Sequence, residues 1–245
     1  MGLVSIPTAE GELPAYVAAP PTPGPWPGVV VISDVMGMTP DLRRQADWLA
    51  GNGYLAVGPD LFHWGSRLTC LRSMIRETID RKGHTFRDID AARRWLIGRD
   101  DCTGRVGVIG FCMGGGFALM LALGADYGSS SVNYGTALRR YQTREALGGA
   151  CPVVGSFGSR DHITRRSAAR LERGLTSLGI DHDIRVYPRV GHGFMNDHGS
   201  GRSHAFLTVI ARVSGTAYDE AATMDARRRI VTFFDRHLKE RADPA

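Results

Sequence analysis

The sequence holds no apolar run approaching the roughly 18 residues that a membrane-spanning helix requires, so no transmembrane helix is expected. Its opening, MGLVSIPTAEGELP, carries acids and no charged-then-apolar pattern, and it reads as an N-terminus without a secretory signal. Cysteine is scarce: Cys70, Cys102, Cys112 and Cys151 are the only four in 245 residues. They form no Cys-x-x-Cys, and none pairs with a histidine at zinc-ligand spacing, which argues against a disulfide framework and against a metal. Free thiols in a reducing compartment fit best, and the expected location is cytoplasmic. Lysine is almost missing, since 28 of the 30 basic residues are arginine. The net charge is +5, but the arginines are interspersed with Asp and Glu. The densest basic run, Arg227-Arg228-Arg229, lies in a segment of helical apolar spacing and reads as a solvated helix face, so no nucleic-acid partner is expected. Internal repeats and low-complexity tracts are also absent.

What remains is ordinary for a globular chain: 43% hydrophobic and 22% charged residues, with 31 Gly and 12 Pro, values far from collagen, coiled coil or wholesale disorder. The length suits a single domain over residues 1–245 with a core of its own. Short β-like runs alternate with longer helical ones. Residues 3–8 and 13–19 read as a strand pair around Glu10-Gly11-Glu12, and the proline-rich residues 20–27 read as a loop. Val29-Val30-Val31-Ile32 is a continuous β-branched run, as in strands covered on both faces. Further strands are expected at 54–57, 105–109, 131–134, 152–157 and 182–187, and helices at 41–51, 85–97, 117–123, 167–178 and 219–238. Residues 61–83 show no clean period and read as irregular. Strands alternating with helices of this length imply βαβ units and a mainly parallel sheet flanked by helices, an α/β fold.

The sharpest motif joins the strand Val106-Gly107-Val108-Ile109 to Gly110-Phe111-Cys112-Met113-Gly114-Gly115 and then to a helix. This is a nucleophile elbow with cysteine where serine is usual. Glycines are needed because a strand turning abruptly into a helix leaves no room for flanking side chains. The turn sets the thiol at a helix N-terminus, where aligned peptide dipoles favour negative charge, and aims the Met113 N–H at a developing oxyanion. A buried, inert cysteine on a packing turn is the alternative. A thiol nucleophile needs a base, and the base an orienting acid, in the chain order nucleophile, acid, histidine. Asp161 follows an apolar strand 49 residues on, and His192, between Gly191 and Gly193, follows another 31 residues later. Asp161 could alternatively be a plain helix cap. The histidines at 162, 182, 198 and 204 lack both strand-end placement and flanking glycines, so Cys112, Asp161 and His192 form the expected triad. The second oxyanion donor is expected in Ser33-Asp34-Val35-Met36-Gly37, with Val35 as the candidate. Asp34 could tune the thiol or simply stabilise the turn.

Together, Gly-Phe-Cys-Met-Gly-Gly, Ser159-Arg160-Asp161-His162 and Gly191-His192-Gly193-Phe194 resemble the dienelactone hydrolases, or carboxymethylenebutenolidases. Pro59-Asp60-Leu61-Phe62 and Asn133-Tyr134-Gly135 fall in that family's order too. The resemblance implies an α/β-hydrolase fold with a small cap or none. It further implies a thioacyl-enzyme route for a small ester or lactone, with no cofactor. Two positions depart from the family pattern. Asp34 stands where the family carries glutamate, and Asn196 stands four residues after the histidine, where an arginine would hold a substrate carboxylate. Arg67, Arg72 and Arg76 are candidates for a second such arginine. A neutral ester or lactone is therefore as well suited as an anionic lactone. His63 and Trp64 are expected to roof the pocket, with a surface loop carrying a core tryptophan as the alternative. Tyr134, Phe194 and Asn196 are candidate pocket residues, Tyr134 equally a core tyrosine. A thioesterase, acyltransferase or peptidase on the same triad stays open. So does a non-catalytic ligand or redox sensor, although three filled triad positions argue against a sensor. The oligomeric expectation is a monomer or small homo-oligomer.

Overall fold

The computed structural model describes residues 2–198 and 218–239. Strands β1 (Gly2–Thr8) and β2 (Gly11–Ala18) form an antiparallel hairpin closed by a Thr8–Gly11 pair. The prolines that follow interrupt regular structure until β3 (Trp26–Ile32). Helix α1 (Pro40–Gly51) starts where the Thr39 hydroxyl accepts the Leu42 N–H, with Pro40 in its first turn, where a missing N–H costs nothing. Strand β4 (Leu55–Pro59), helices α2 (Arg67–Asp80) and α3 (His84–Ile97), strand β5 (Cys102–Phe111) and helix α4 (Met113–Ala122) come next. Strand β6 (Ser129–Asn133), a 3-10 turn (Arg139–Gln142), a short helix α5 (Arg144–Leu147), β7 (Val153–Gly158), α6 (Arg165–Leu178), β8 (His182–Tyr187) and α7 (Glu220–Phe234), continued by a π-helical turn (Asp235–Lys239), complete the described elements.

The eight strands make one sheet in the order β1-β2-β4-β3-β5-β6-β7-β8, antiparallel across β1-β2-β4 and parallel thereafter. The uninterrupted apolar character of β3 has a direct cause. Val29 and Val31 enter the core shared with Leu42 and Leu49 of α1 and Ile230 of α7, while Val30 and Ile32 enter the core shared with Ile89 of α3 and Phe117 of α4. Both faces are covered, so no polar alternation is possible, and each fully buried Val or Ile stabilises the fold by about 1.5–3 kcal/mol. This is the α/β-hydrolase architecture.

Residues 61–83 depart from expectation: most of the segment is helix α2, not irregular chain. Its buried stripe is only Cys70, Met74 and Glu77, while Leu68, Ile75 and Ile79 are exposed. A three-residue stripe that includes a carboxylate, with aliphatics on the wrong face, erases the helical period. Its start is nevertheless capped in the ordinary way, the Ser66 hydroxyl accepting the Thr69 N–H. Among the described residues no helix is long and apolar enough to cross a membrane.

Parallel strands present all their carboxyl ends at one edge of the sheet, and loops there gather side chains from distant parts of the chain. Asp34 follows β3, Cys112 follows β5, Tyr134 follows β6, Asp161 follows β7 and His192 follows β8.

Candidate active site

Cys112 occupies a backbone conformation that an L-residue rarely adopts, φ 55° and ψ −115°, directly between β5 and α4. Such a conformation costs about 1–3 kcal/mol and persists only where the surroundings enforce it. Here a Cβ on Gly110 would lie 2.0 Å from the Gly114 carbonyl oxygen, and one on Gly114 would lie 2.4 Å from both the Ile32 and Ser33 carbonyl oxygens. The elbow therefore turns within the width of a backbone, pressed against the end of β3. The Cys112 N–H is anchored on the Asn133 carbonyl at 3.1 Å, and its side chain makes no capping bond to α4. The thiol is left partly exposed, at a helix start whose first N–H groups lack partners within the helix. Among the described residues neither the Met113 nor the Val35 N–H donates to another protein group.

Asp161 is fully buried, with its carboxylate fixed by its own helix entry: it accepts the Ile163 N–H at 2.9 Å, the Thr164 N–H at 3.3 Å and the Thr164 hydroxyl. Its Oδ2 also meets His192 Nδ1 at 2.7 Å. Asp161 is thus the partner of His192, and its carboxylate also fixes the turn ahead of α6, whose N-cap is Thr164 rather than Asp161. Close approach of backbone sets the histidine loop in place, since a Cβ on Gly158 at the end of β7 would fall 2.4 Å from the Val190 carbonyl oxygen. His192 is 6% exposed. Burial disfavours its imidazolium, but the bonded Asp161 carboxylate and the nearby Cys112 sulfur override that and push it up to about 10. Burial likewise disfavours the Asp161 carboxylate, and the bonds from His192 and Thr164 outweigh it, drawing the acid below its usual range. With Nδ1 committed to Asp161, Nε2 is the ring nitrogen that remains for another partner. The fold brings His192 and Asp161 into contact and places Cys112 near enough to His192 to affect its protonation.

The remaining candidates are placed differently. Asp34 does not spend its carboxylate on the thiol: Oδ1 accepts the Met36 N–H at 2.8 Å, and Oδ2 meets His198 Nε2 at 2.7 Å. The turn-stabilising alternative is the one observed. Tyr134 is wholly buried beneath His192, ring edge to ring face at 5.3 Å, and its hydroxyl donates to Asn196 Oδ1 at 2.5 Å. Asn196 in turn donates to Asp41 Oδ2 at 2.6 Å, so its amide braces the loop after His192 against α1. Phe194 is fully buried against Tyr134 and Tyr187, a core residue. Trp64 faces α3: its Nε1 donates to Asp88 at 2.8 Å, its ring lies 4.7 Å from that of His84, and exposed His63 rests on its edge. Trp64 lines a cavity of about 200 Å³ between α2 and α3. Arg67 donates to the Met36 carbonyl at 2.5 Å, while Arg72 and Arg76 are exposed along α2.

His162 is exposed and His182 is held by the Ile180 carbonyl at 2.7 Å, whereas His204 lies outside the described residues. His198 is the residue that sequence reasoning passed over, because nothing local marks a partner 164 positions away. The Asp34 carboxylate beside it holds its imidazole above the usual histidine range. Thr164 was also missed, although the Asp-x-x-Thr spacing of a helix entry could have revealed it.

A model of the dienelactone hydrolase family matches residues 13–238. A Pseudomonas putida carboxymethylenebutenolidase is 25% identical over 207 residues, covering 81% of this chain and 87% of its own. A Yersinia pestis protein provisionally given the same name is 28% identical over 214 residues, covering 80% of this chain and 79% of its own. Among solved structures, a dienelactone hydrolase-like promiscuous phosphotriesterase from metagenomic libraries superposes with a TM-score of 0.77 at 20% identity, across 97% of this chain and 98% of that one.

Proposed function

Because the chain belongs to the dienelactone hydrolase family, a family of carboxylic ester hydrolases, we propose that it cleaves a small ester or lactone through a thioacyl-enzyme formed on Cys112. The observation that carries this reading is the strained Cys112 at the head of α4, close to a histidine whose Nδ1 is fixed by a buried carboxylate. With the proton already held on His192, the Cys112 sulfur attacks the carbonyl carbon. The carbonyl electron pair moves to oxygen, which the N–H groups of Met113 and Val35 receive. As the tetrahedral adduct collapses, the carbon–oxygen bond breaks and His192 returns the proton to the departing alkoxide or enolate. A water deprotonated by His192 then attacks the thioester, and the acid product and free thiol are released. Asp161 stays ionised throughout, orienting the ring and stabilising its charged form.

The substrate class follows from what surrounds this machinery. Asn196 carries no charge and is engaged with Asp41 and Tyr134, and the Arg67 guanidinium is engaged with the Met36 carbonyl. With those cations missing or committed, a neutral ester or lactone suits the site better than a dicarboxylate.

Hydrolysis of p-nitrophenyl acetate by the wild type and by Cys112→Ala under identical conditions tests the reading. The expected result is turnover that disappears in the variant, with a mass increment of one acetyl group on Cys112 in rapidly quenched wild type. Equal rates in both proteins would exclude Cys112 as the nucleophile. A panel of neutral and carboxylated lactones then tests the substrate class, with higher kcat/KM expected for the neutral members.

A further inference from the structure

The loop after β3 is a preset turn. The Asp34 carbonyl accepts the Gly37 N–H at 3.2 Å, and the Asp34 carboxylate accepts the Met36 N–H at 2.8 Å. Two of the three amides after Asp34 are thereby consumed, and that of Val35 is left over. From outside, Arg67 at the start of α2 donates to the Met36 carbonyl at 2.5 Å and lies over the Phe62 ring at 5.5 Å. The same ring occupies the space a side chain on Gly37 would fill, 2.8 Å from its Cβ position, and Gly37 takes φ 74°. The turn also abuts the elbow, because Gly114 touches the Ser33 carbonyl.

From these contacts we infer that Asp34 and Arg67 are positioning residues: together they lock residues 34–37 in the one turn that frees the Val35 N–H and aims it at the oxyanion beside Cys112. The inference rests on Cys112 being the nucleophile. Both Asp34 oxygens are already engaged, the second with His198 at 2.7 Å. An oxyanion donor contributes most when it is already oriented before the charge appears, because no reorganisation then accompanies reaction. The Asx-type bond of Asp34 supplies that orientation from within the loop, and Arg67 supplies it from the neighbouring helix.

The test separates the turn from the thiol. Steady-state kinetics of Asp34→Ala, Asp34→Asn and Arg67→Met are measured with p-nitrophenyl acetate, alongside the rate of Cys112 alkylation by iodoacetamide across pH, followed by mass spectrometry of the Cys112 peptide. Alkylation needs the sulfur but no oxyanion hole. Asp34→Ala is expected to lower kcat about 100-fold with KM within about threefold, the size of losing one oriented donor. Asp34→Asn keeps an acceptor for the Met36 N–H and is expected to recover to within about threefold of wild type. Arg67→Met, at an exposed position, is expected to lose about fivefold in kcat, as a loosened donor would. All three should alkylate with the wild-type pH profile, which also shows that the site is folded. A wild-type kcat in Asp34→Ala overturns the inference, as does a displaced alkylation profile in Asp34→Ala or Asp34→Asn. Should Asp34→Ala fail to fold, an unchanged kcat in Arg67→Met overturns it instead. Failure of the underlying reading shows itself separately, as hydrolysis that survives Cys112→Ala.

Discussion

Two aspartate–histidine pairs stand at the same end of the sheet, Asp161–His192 and Asp34–His198, each closed at 2.7 Å. Their lengths are identical, yet their chemical meaning differs. His192 is held through Nδ1, with the Cys112 sulfur close enough to help raise its proton affinity, and its aspartate is fully buried with three further donors from the turn leading into α6. His198 is held through Nε2, and its aspartate spends the second oxygen on a backbone turn. An acid–histidine pair is therefore a catalytic device only when the remaining ring nitrogen meets a reacting atom. Otherwise it is a brace.

Breaking each pair in the same way should separate them by orders of magnitude. Asp161→Asn is expected to lower kcat by roughly a thousandfold or more, because the amide no longer selects the correct tautomer or supports the imidazolium. His198→Gln should lose no more than about tenfold, since the Asp34–Met36 turn bond survives. Steady-state kinetics of the two variants side by side measure the contrast, and comparable losses would erase it.

Stability against pH sharpens the comparison further. His192 is raised in the fold to about 10 from an unfolded value of 6.5, so its contribution is complete below about pH 6.5 and disappears as pH climbs through about 10. The Tm difference between wild type and His192→Gln should therefore be greatest near pH 6 and shrink by about pH 10.5. Asp161 has the opposite sign: it is lowered in the fold, so its contribution is present above the ordinary carboxylate range and is lost as acid reaches the depressed value. Thermal melts across both limbs give the two signs independently.

The smallest expected effect lies away from both pairs. Trp64→Phe removes the indole donor to Asp88 and should reduce stability by about 1–2 kcal/mol, while kcat stays within about twofold. His63→Ala should leave both untouched. Denaturant titration and activity measured on the same preparations would show it.

What could be read from the sequence follows physical locality. The elbow was legible because its geometry depends on adjacent glycines, and Asp161 and His192 were legible because apolar strands ending in glycine-marked loops betray the sheet edge. All eight strands fell near their expected places, since both-face burial and hairpin alternation leave distinct patterns. Helix α2 was not legible: Cys70, Met74 and Glu77 form too thin a stripe among exposed aliphatics. The role of Asp34 was left open because its decisive partner, His198, is adjacent only after the whole parallel sheet has assembled. The partner of Trp64 was not legible for the same reason, as its acceptor Asp88 lies 24 residues on, in α3.

Among the described residues strand β8 closes the parallel end of the sheet, pairing with β7 alone and exposing Arg185 and Val186 to solvent. An edge strand with few buried contacts belongs to the part of a protein that opens first, well below the energy of global unfolding. The loop carrying His192 departs from this strand. Enzymatic competence is accordingly a reporter of fraying at one border: mild denaturant should silence turnover while the β3–β5 heart of the sheet still protects its amides from hydrogen exchange.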